Sequence, residues 1–299
     1  MVRVAVVGTG RMGSAMARAL AQGGATLVLH NRTLESARSL AQELGASVAT
    51  TPREAAAAAD VAITMLADGD AVRQTWDGPN GLVAGAHDGG VLVDASTVPP
   101  DTITAFETAV RERGSGIVDA PVSGSTKLAT DGQLTIMAGG RPEDLERAKP
   151  ALDLVARHTT HVGPLGSGAA LKLAVNALIF ALNNSLAEAL VLAERAGIDP
   201  RTAYEVFASS AAGAPYVGYK RDAYLAPDET PTAFSLDLAL KDLGLILGLA
   251  DRLGVPTDQI RVNQQLIGAT ARRIGGDRDM SAVAVHLREQ SEEGARAET

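Results

Sequence analysis

Short apolar runs alternate with amphipathic stretches through the first two-thirds of the chain. The runs at 2–7, Thr26–His30, 61–65, Val91–Asp94, Gly116–Asp119 and 134–138 are brief and mostly apolar. Between the early runs, 14–22 and Leu34–Leu44 repeat their apolar residues at helical spacing. Apolar runs separated by helices predict parallel strands buried on both faces. From about Leu165 the strand signal disappears. A helical pattern then covers about 167–196, on the order of 45 Å at 1.5 Å per residue, and is closed by Gly197 and Asp199-Pro200. Further helical patterns lie at 201–209, Leu236–Leu253 and 257–274. The segment Gly163-Pro-Leu-Gly-Ser-Gly168 is the seam between the two patterns. The expected architecture is thus an α/β domain over 1–163 and an all-helical domain over 164–299, joined by a long interdomain helix. The polar tail 289–299 is expected to fray.

Composition narrows the chemistry. The 299 residues are 46% hydrophobic but only 3% aromatic, so close backbone and helix packing must replace ring packing. A net charge of −8 without a basic block excludes a general nucleic-acid or anionic-membrane surface. The absence of cysteine removes disulfides, thiolate nucleophiles and Cys-ligated zinc and suits a cytoplasmic location. The apolar stretch 171–193 is interrupted by Lys172, Asn176, Asn183, Asn184 and Glu188, which argues against a membrane span. His30, His87, His158, His161 and His286 show no metal-ligand spacing.

Gly8-Thr9-Gly10-Arg11-Met12-Gly13 directly follows the first strand and opens a helix whose Ala15, Ala17 and Ala19 are small. Gly8 suits a tight turn, Gly10 lets backbone approach a pyrophosphate, and Gly13 allows helix–strand contact. The phosphates then lie at a helix N-terminus. Detached from its context the pattern describes an ordinary glycine turn; between a strand and a helix it points to a dinucleotide and a Rossmann-type doubly wound sheet. An NAD site places Asp or Glu at the end of the second strand, where this chain has His30-Asn31-Arg32-Thr33. Arg32 offers a bidentate fork for a 2′-phosphate, with Asn31 and Thr33 adding hydrogen bonds, so NADP(H) is the expected cofactor. The same residues suit the start of a helix at Leu34, but a cap does not require the arginine.

Three later stretches carry candidate chemistry. Asp119-Ala-Pro-Val-Ser-Gly-Ser125 leaves the fifth strand, and Asp94-Ala-Ser-Thr97 leaves the fourth; ligands of open parallel sheets bind outside these strand ends. Ser123 and the N–H groups near Gly124 and Ser125 suit a carboxylate, although the stretch alone reads as a loop. Lys172 and Asn176 share a helix face, on which Asn183 also falls. Such a polar ridge meets a cleft, a ligand or satisfied partners, or is a surface face with a snorkelling lysine. Trp76 and the Tyr216/Tyr219 pair read as packing residues, and Tyr219 and Phe234 as candidates for a pocket wall.

In order and spacing, Gly8 to Gly13, Asp119-Ala-Pro-Val-Ser-Gly124, Gly166-x-Gly-x-x-x-Lys172-x-x-x-Asn176 and Lys241-Asp242 resemble the β-hydroxyacid dehydrogenase family, which includes 3-hydroxyisobutyrate dehydrogenase and semialdehyde reductases. The resemblance covers about 2–290. It implies interconversion of a short hydroxy acid with its semialdehyde or oxo acid. It further implies Lys172 as general acid/base with Asn176 orienting it or the substrate, and Ser123, Gly124 and Ser125 at the substrate carboxylate. Lys241 would close over substrate and cofactor, and Gly8, Gly10, Arg11, Met12, Gly13, Asn31, Arg32, Thr33, Leu66, Ala67 and Thr97 would border the cofactor. The partners implied are a small carboxylate-bearing substrate and a second or further copies of the chain, as a homodimer or homotetramer. Three departures stand out. Ser125 replaces a frequent glycine. Val175 stands where 6-phosphogluconate enzymes place histidine. Lys172 stands where imine reductases usually carry Asp or Tyr. An imine reductase-like enzyme and a catalytically silent NADP-binding protein stay open as alternatives.

Overall fold

A computed structural model describes residues 1–297. The chain divides into two compact units, one from Met1 to Lys172 and one from Leu173 onward. The first is built on a nine-stranded sheet: β1 (Arg3–Val7), β2 (Thr26–His30), β3 (Ser47–Val48), β4 (Val61–Thr64), β5 (Val91–Asp94), β6 (Gly116–Asp119), β7 (Val122–Ser123), β8 (Leu134–Gly140) and β9 (Ala156–Gly163). Its order is β3-β2-β1-β4-β5-β6-β8-β7, with β9 beside β8. Strands β1 to β6 are parallel.

Alternation along these strands fills two layers. Val4 and Val6 face Met16, Leu20 and Leu152, whereas Ala5 and Val7 face Ala55, Trp76 and Ile103. Both sets are apolar because parallel strands are covered on both sides. Trp76 is fully buried, its ring 5.5 Å from that of Phe106. The expectation of a wholly parallel sheet fails at β8, which runs antiparallel to β6 and β7. The reason is local: β6 and β7 run on in the same direction along β8, in one register from Val118 opposite Gly140 to Ser123 opposite Thr135, and the short return through 124–133 leaves too little chain for the crossover a parallel neighbour needs. The edge strand β9, largely polar and half-exposed, lies parallel to β8.

Strand order reverses direction between β1 and β4, and such a switch point opens a crevice at the carboxyl ends. Gly8, Asn31, Leu66, the turn from Asp94 to Thr97 and the loop from Asp119 to Gly124 all leave the sheet at that end. The candidate motifs of the first unit therefore converge.

The second unit is helical. It comprises the long helix (Ser167–Arg195) from Leu173 on, then Pro200–Ser209, Pro215–Leu225, Leu236–Leu253, Asp258–Ile274 and Val283–Ala297. By length and composition the long helix can cross a bilayer, but its Leu173, Phe180, Ala187 and Leu190 lie in this unit's core. Asn183 is buried: its Nδ2 donates to the Met280 carbonyl at 3.1 Å, and its Oδ1 accepts from the hydroxyls of Tyr216 at 2.7 Å and Tyr224 at 2.8 Å. That end of the polar ridge is therefore satisfied internally.

The C-terminal segment is not frayed as its polarity suggested. Helix Val283–Ala297 continues through it because Arg273 pairs with Glu289 and Glu293, each at 2.6 Å. Residues 298–299 of that segment lie outside the described residues.

Candidate active site

The glycine loop is held by its own backbone. Gly8 adopts φ +102°, and a Cβ there would overlap the Met65 carbonyl oxygen; one on Gly13 would overlap the Gly8 carbonyl. Around Gly10, in contrast, there is open space. Gly10 also precedes the helix Arg11–Gln22, and no side chain caps that terminus, so its free N–H groups suit an anion. Met12 is half-buried and Arg11 exposed. The loop's geometry fits a bound dinucleotide pyrophosphate: close packing where backbone meets backbone, and an opening where a phosphate approaches.

Asn31 links this loop to β2. Its Oδ1 accepts from the Thr9 N–H at 3.1 Å, while Nδ2 donates to the Thr33 carbonyl at 3.1 Å. Thr33 occupies the N-cap position of Leu34–Leu44 but makes no side-chain cap bond. Arg32 is exposed at the turn between them. The turn is thus more than a helix start, since its asparagine orders the glycine loop.

A buried network braces the next strand ends. The Asp94 carboxylate accepts from Thr64 Oγ1 at 2.6 Å and Ser96 Oγ at 2.7 Å. Ser96 Oγ in turn accepts from the Leu66 N–H at 2.9 Å, and Trp76 Nε1 donates to Thr64 Oγ1 at 3.3 Å. Asp94 thereby fixes the backbone of Leu66, beside Ala67 and near the start of the Ser96-Thr97 turn. Burial pushes its carboxyl up to about 6. The stretch Asp94 to Thr97 stood out in the sequence as a strand-end loop, but nothing in the spacing pointed to its partners Thr64, Leu66 and Trp76.

On the loop after β6, Gly124 takes φ +145°, with Leu134 where a Cβ would stand. Ser123 is half-buried. Ser125 Oγ accepts from the Leu128 N–H at 3.2 Å and caps the helix Thr126–Thr130, so it shapes the loop. Asp119, at the end of β6, reaches beyond its own loop. Its Oδ1 accepts from the Gly166 N–H at 2.8 Å and its Oδ2 from the Ala169 N–H at 2.7 Å. These bonds fasten the start of the long helix to the end of β6, and Lys172, half-buried, follows one turn later.

Within the helical unit, Asn176 Nδ2 donates to Asp242 Oδ2 at 2.7 Å, and Lys241 Nζ lies 3.0 Å from Asp242 Oδ1. The carboxylate of Asp242, present in the Lys241-Asp242 motif but given no role there, connects the two residues. Phe234 packs against Phe180 with ring centroids 6.1 Å apart, and Tyr219 lies edge-on to Tyr216 at 5.3 Å.

Comparisons with known proteins bear on the family and the fold. Residues 3–163 match the family described as the NAD binding domain of 6-phosphogluconate dehydrogenase. Residues 166–287 match that described as the NAD-binding domain of NADP-dependent 3-hydroxyisobutyrate dehydrogenase. The chain is 33% identical to glyoxylate/succinic semialdehyde reductase 2 of Arabidopsis thaliana, over 96% of this chain and 80% of that one. It is also 33% identical to 3-sulfolactaldehyde reductase of Escherichia coli, covering 96% of each. A 3-hydroxyisobutyrate dehydrogenase structure from Salmonella typhimurium superposes with a TM-score of 0.85 at 27% identity, covering 95% of this chain and 99% of that one. This chain belongs to the β-hydroxyacid dehydrogenase family. As a β-hydroxyacid dehydrogenase it is an oxidoreductase that uses a nicotinamide cofactor on hydroxy acids or the corresponding semialdehydes. An imine reductase from Pseudomonas shares the fold at 24% identity and a TM-score of 0.63, with 95% of this chain and 99% of that one covered.

The raised Asp94 pKa has a thermodynamic signature. The unperturbed value is 3.8 and the folded one about 6, so the folded state binds this proton more tightly. The resulting stabilisation is complete below 3.8 and is lost as pH rises through about 6. Asp94→Asn removes this dependence. Urea unfolding of the two proteins should show the wild type gaining about 1 kcal/mol relative to Asp94→Asn between pH 7.5 and pH 5. Parallel pH profiles would show that Asp94 does not titrate in this way.

Proposed function

We propose that this β-hydroxyacid dehydrogenase is an NADP(H)-dependent enzyme interconverting a short hydroxy acid and its semialdehyde or oxo acid, with Lys172 as general acid/base. The observation that carries this reading is the junction at the end of β6. One carboxylate, Asp119, ties the start of the lysine-bearing helix to the strand that leads directly into the Ser123-Gly124 loop. A proton donor and a carboxylate-binding loop thus spring from one rigid point at the ligand-binding end of the sheet.

Each residue has a distinct part. Gly8, Gly10, Arg11, Met12 and Gly13 receive the pyrophosphate, while Leu66, Ala67 and Thr97 border the rest of the cofactor. Arg32, with Asn31 and Thr33, binds the 2′-phosphate; no carboxylate at the end of β2 repels it. The bound nicotinamide supplies hydride to the carbonyl carbon in reduction or accepts it in oxidation. Lys172 as ammonium gives its proton to the carbonyl oxygen in reduction and, as neutral amine, takes the hydroxyl proton in oxidation. The substrate carboxylate accepts hydrogen bonds from Ser123 Oγ and the N–H groups of Gly124 and Ser125. Asn176 orients the lysine or the substrate, and Lys241 adds positive charge near them.

A second copy of the chain is the partner we propose for the exposed face of the long helix. Leu171, Leu178 and Leu192 are 40%, 72% and 73% exposed and fall on one seven-residue spacing, in which Ser185 fills the gap. A leucine stripe at this spacing matches helix-to-helix packing, and self-association is the commonest way to cover it.

A panel of glyoxylate, succinic semialdehyde and a cyclic imine, each with NADPH and NADH, tests the reaction class. The carboxylate-bearing aldehydes should be reduced, and turnover of the imine alone would favour an imine reductase. Lys172→Ala should lower turnover by about 10²- to 10⁴-fold with NADPH affinity retained; wild-type turnover in that variant would remove the acid/base assignment. Arg32→Ala should weaken NADPH binding by about 10- to 100-fold and leave NADH nearly unchanged, and equal losses would refute the 2′-phosphate contact. In sedimentation, the wild type should run as a multiple of 30.7 kDa and the Leu178→Glu/Leu192→Glu variant as a monomer. An unchanged mass would place the interface elsewhere.

A further inference from the structure

Asp119 does for the long helix what a local cap usually does. The first turn of any α-helix has N–H groups with no intrahelical acceptor. Here Ser167 N–H donates to the Pro164 carbonyl and Ala170 N–H to the Gly166 carbonyl, each at 3.0 Å. Gly166 precedes the helix at φ +93° and has no side chain to offer. The Ala169 amide is instead satisfied by a carboxylate from a distant strand, which also takes the Gly166 amide.

Other glycines make room for that carboxylate. A Cβ on Gly139 would overlap Asp119 Oδ1, and one on Gly168 would crowd Asp119 Oδ2 as well as the Asp119 and Met137 carbonyls. The Asp119 side chain is 1% exposed, so the seat is shaped to one group in one orientation. Both its oxygens are used, and both bonds fix the axial and rotational setting of the helix one turn before Lys172.

We propose that Asp119 is a positioning residue for Lys172, acting through its two hydrogen bonds to the Gly166 and Ala169 amides. This inference rests on the reading of Lys172 as the proton donor. The charged form of Asp119 is the one that can accept both bonds, and it lies at the positive end of the helix dipole. Burial nonetheless pushes its carboxyl up to about 6, with Asp94 on the neighbouring strand adding to the rise. Asp94 and Asp119 are register partners on β5 and β6. Neither β8 nor the segment 163–171 carries a titratable side chain, and Lys172 is the first beyond it. The clamp therefore loosens when Asp119 takes up a proton below about pH 6.

The test is a double-mutant cycle with NADPH and the best substrate of the panel above. Asp119→Asn keeps the size of the side chain but turns an amide NH₂ toward one of the two N–H groups. It should lower kcat by about 10- to 100-fold, the scale of a small misplacement of a reacting group, with NADPH affinity unchanged. It should also lose the acid limb of the kcat–pH profile near 6. In a Lys172→Ala background the same substitution should cost nothing further. Wild-type kcat in Asp119→Asn, or an undiminished loss in the Lys172→Ala background, would overturn the proposal. Hydrogen exchange on the wild-type protein supplies a check that needs no variant. After correction for intrinsic rates, the Gly166 and Ala169 amides should lose protection as pH falls from 8 to 5, and constant protection would overturn the clamp. Retained turnover in Lys172→Ala alone would instead sink the proton-donor reading, so the two failures are distinguishable.

Discussion

Two backbone amides at the start of a 29-residue helix share one buried carboxylate, that of Asp119. A helix terminus left uncapped against a sheet costs the desolvation of its amides; an isolated carboxylate buried there would cost more. Each group resolves the other's deficit, and neither has a local alternative, because the residues flanking the terminus are Gly-Pro-Leu-Gly-Ser-Gly. The geometry of everything carried by that first turn follows from the strand end, with the rigidity of the sheet behind it. A loop-mounted lysine would have the freedom of its loop; Lys172 has only that of its own side chain.

The same device recurs along the carboxyl ends of the sheet. At β2 it is Asn31 accepting from Thr9, and at β5 it is Asp94 holding Ser96, which holds Leu66. In each case a polar side chain immediately beyond or at the end of a buried strand supplies what a neighbouring turn lacks. The interiors of the parallel strands β1, β2, β4, β5 and β6 are apolar, so turn-ordering polar groups stand where these strands stop. Ligands of doubly wound sheets bind at those ends, and the residues that order the turns are consequently neighbours of whatever binds.

Much of this was legible before the structure. The strands Thr26–His30, Val91–Asp94 and Gly116–Asp119 and the helices Leu34–Leu44 and Leu236–Leu253 have the limits their apolar patterns indicate, because burial on one or both faces leaves a periodic trace. Strand β9 was hidden: Ala-Arg-His-Thr-Thr-His-Val-Gly has no apolar alternation, and an edge strand half-open to solvent needs none. Helix Pro215–Leu225 was hidden for another reason. Its buried residues include Lys220, which is held by Asp279 at 2.6 Å, so charge stands where a core position should be apolar. The glycine loop was legible because Gly8 and Gly13 are required by close backbone contacts and Gly10 faces the open space at the helix start. The Asp94 network, the Asp119 clamp and the Asp242 link were not, since all three join residues far apart in sequence through side-chain geometry that no spacing encodes.

The polar ridge of the long helix shows where periodicity stops informing. Lys172, Asn176 and Asn183 fall on one face by spacing alone, yet their surroundings differ in kind. Asn183 is saturated by neutral groups, two tyrosine hydroxyls and a backbone carbonyl, which is how a core amide is satisfied. Asn176 instead meets the carboxylate of Asp242, whose other oxygen faces Lys241. Neutral saturation costs little and serves packing, whereas assembling charges in a buried setting carries a desolvation penalty that packing alone does not reward. The ridge therefore divides between Asn176 and Asn183: the later part belongs to the helical core, and at the earlier part a buried amide meets a carboxylate paired with a lysine.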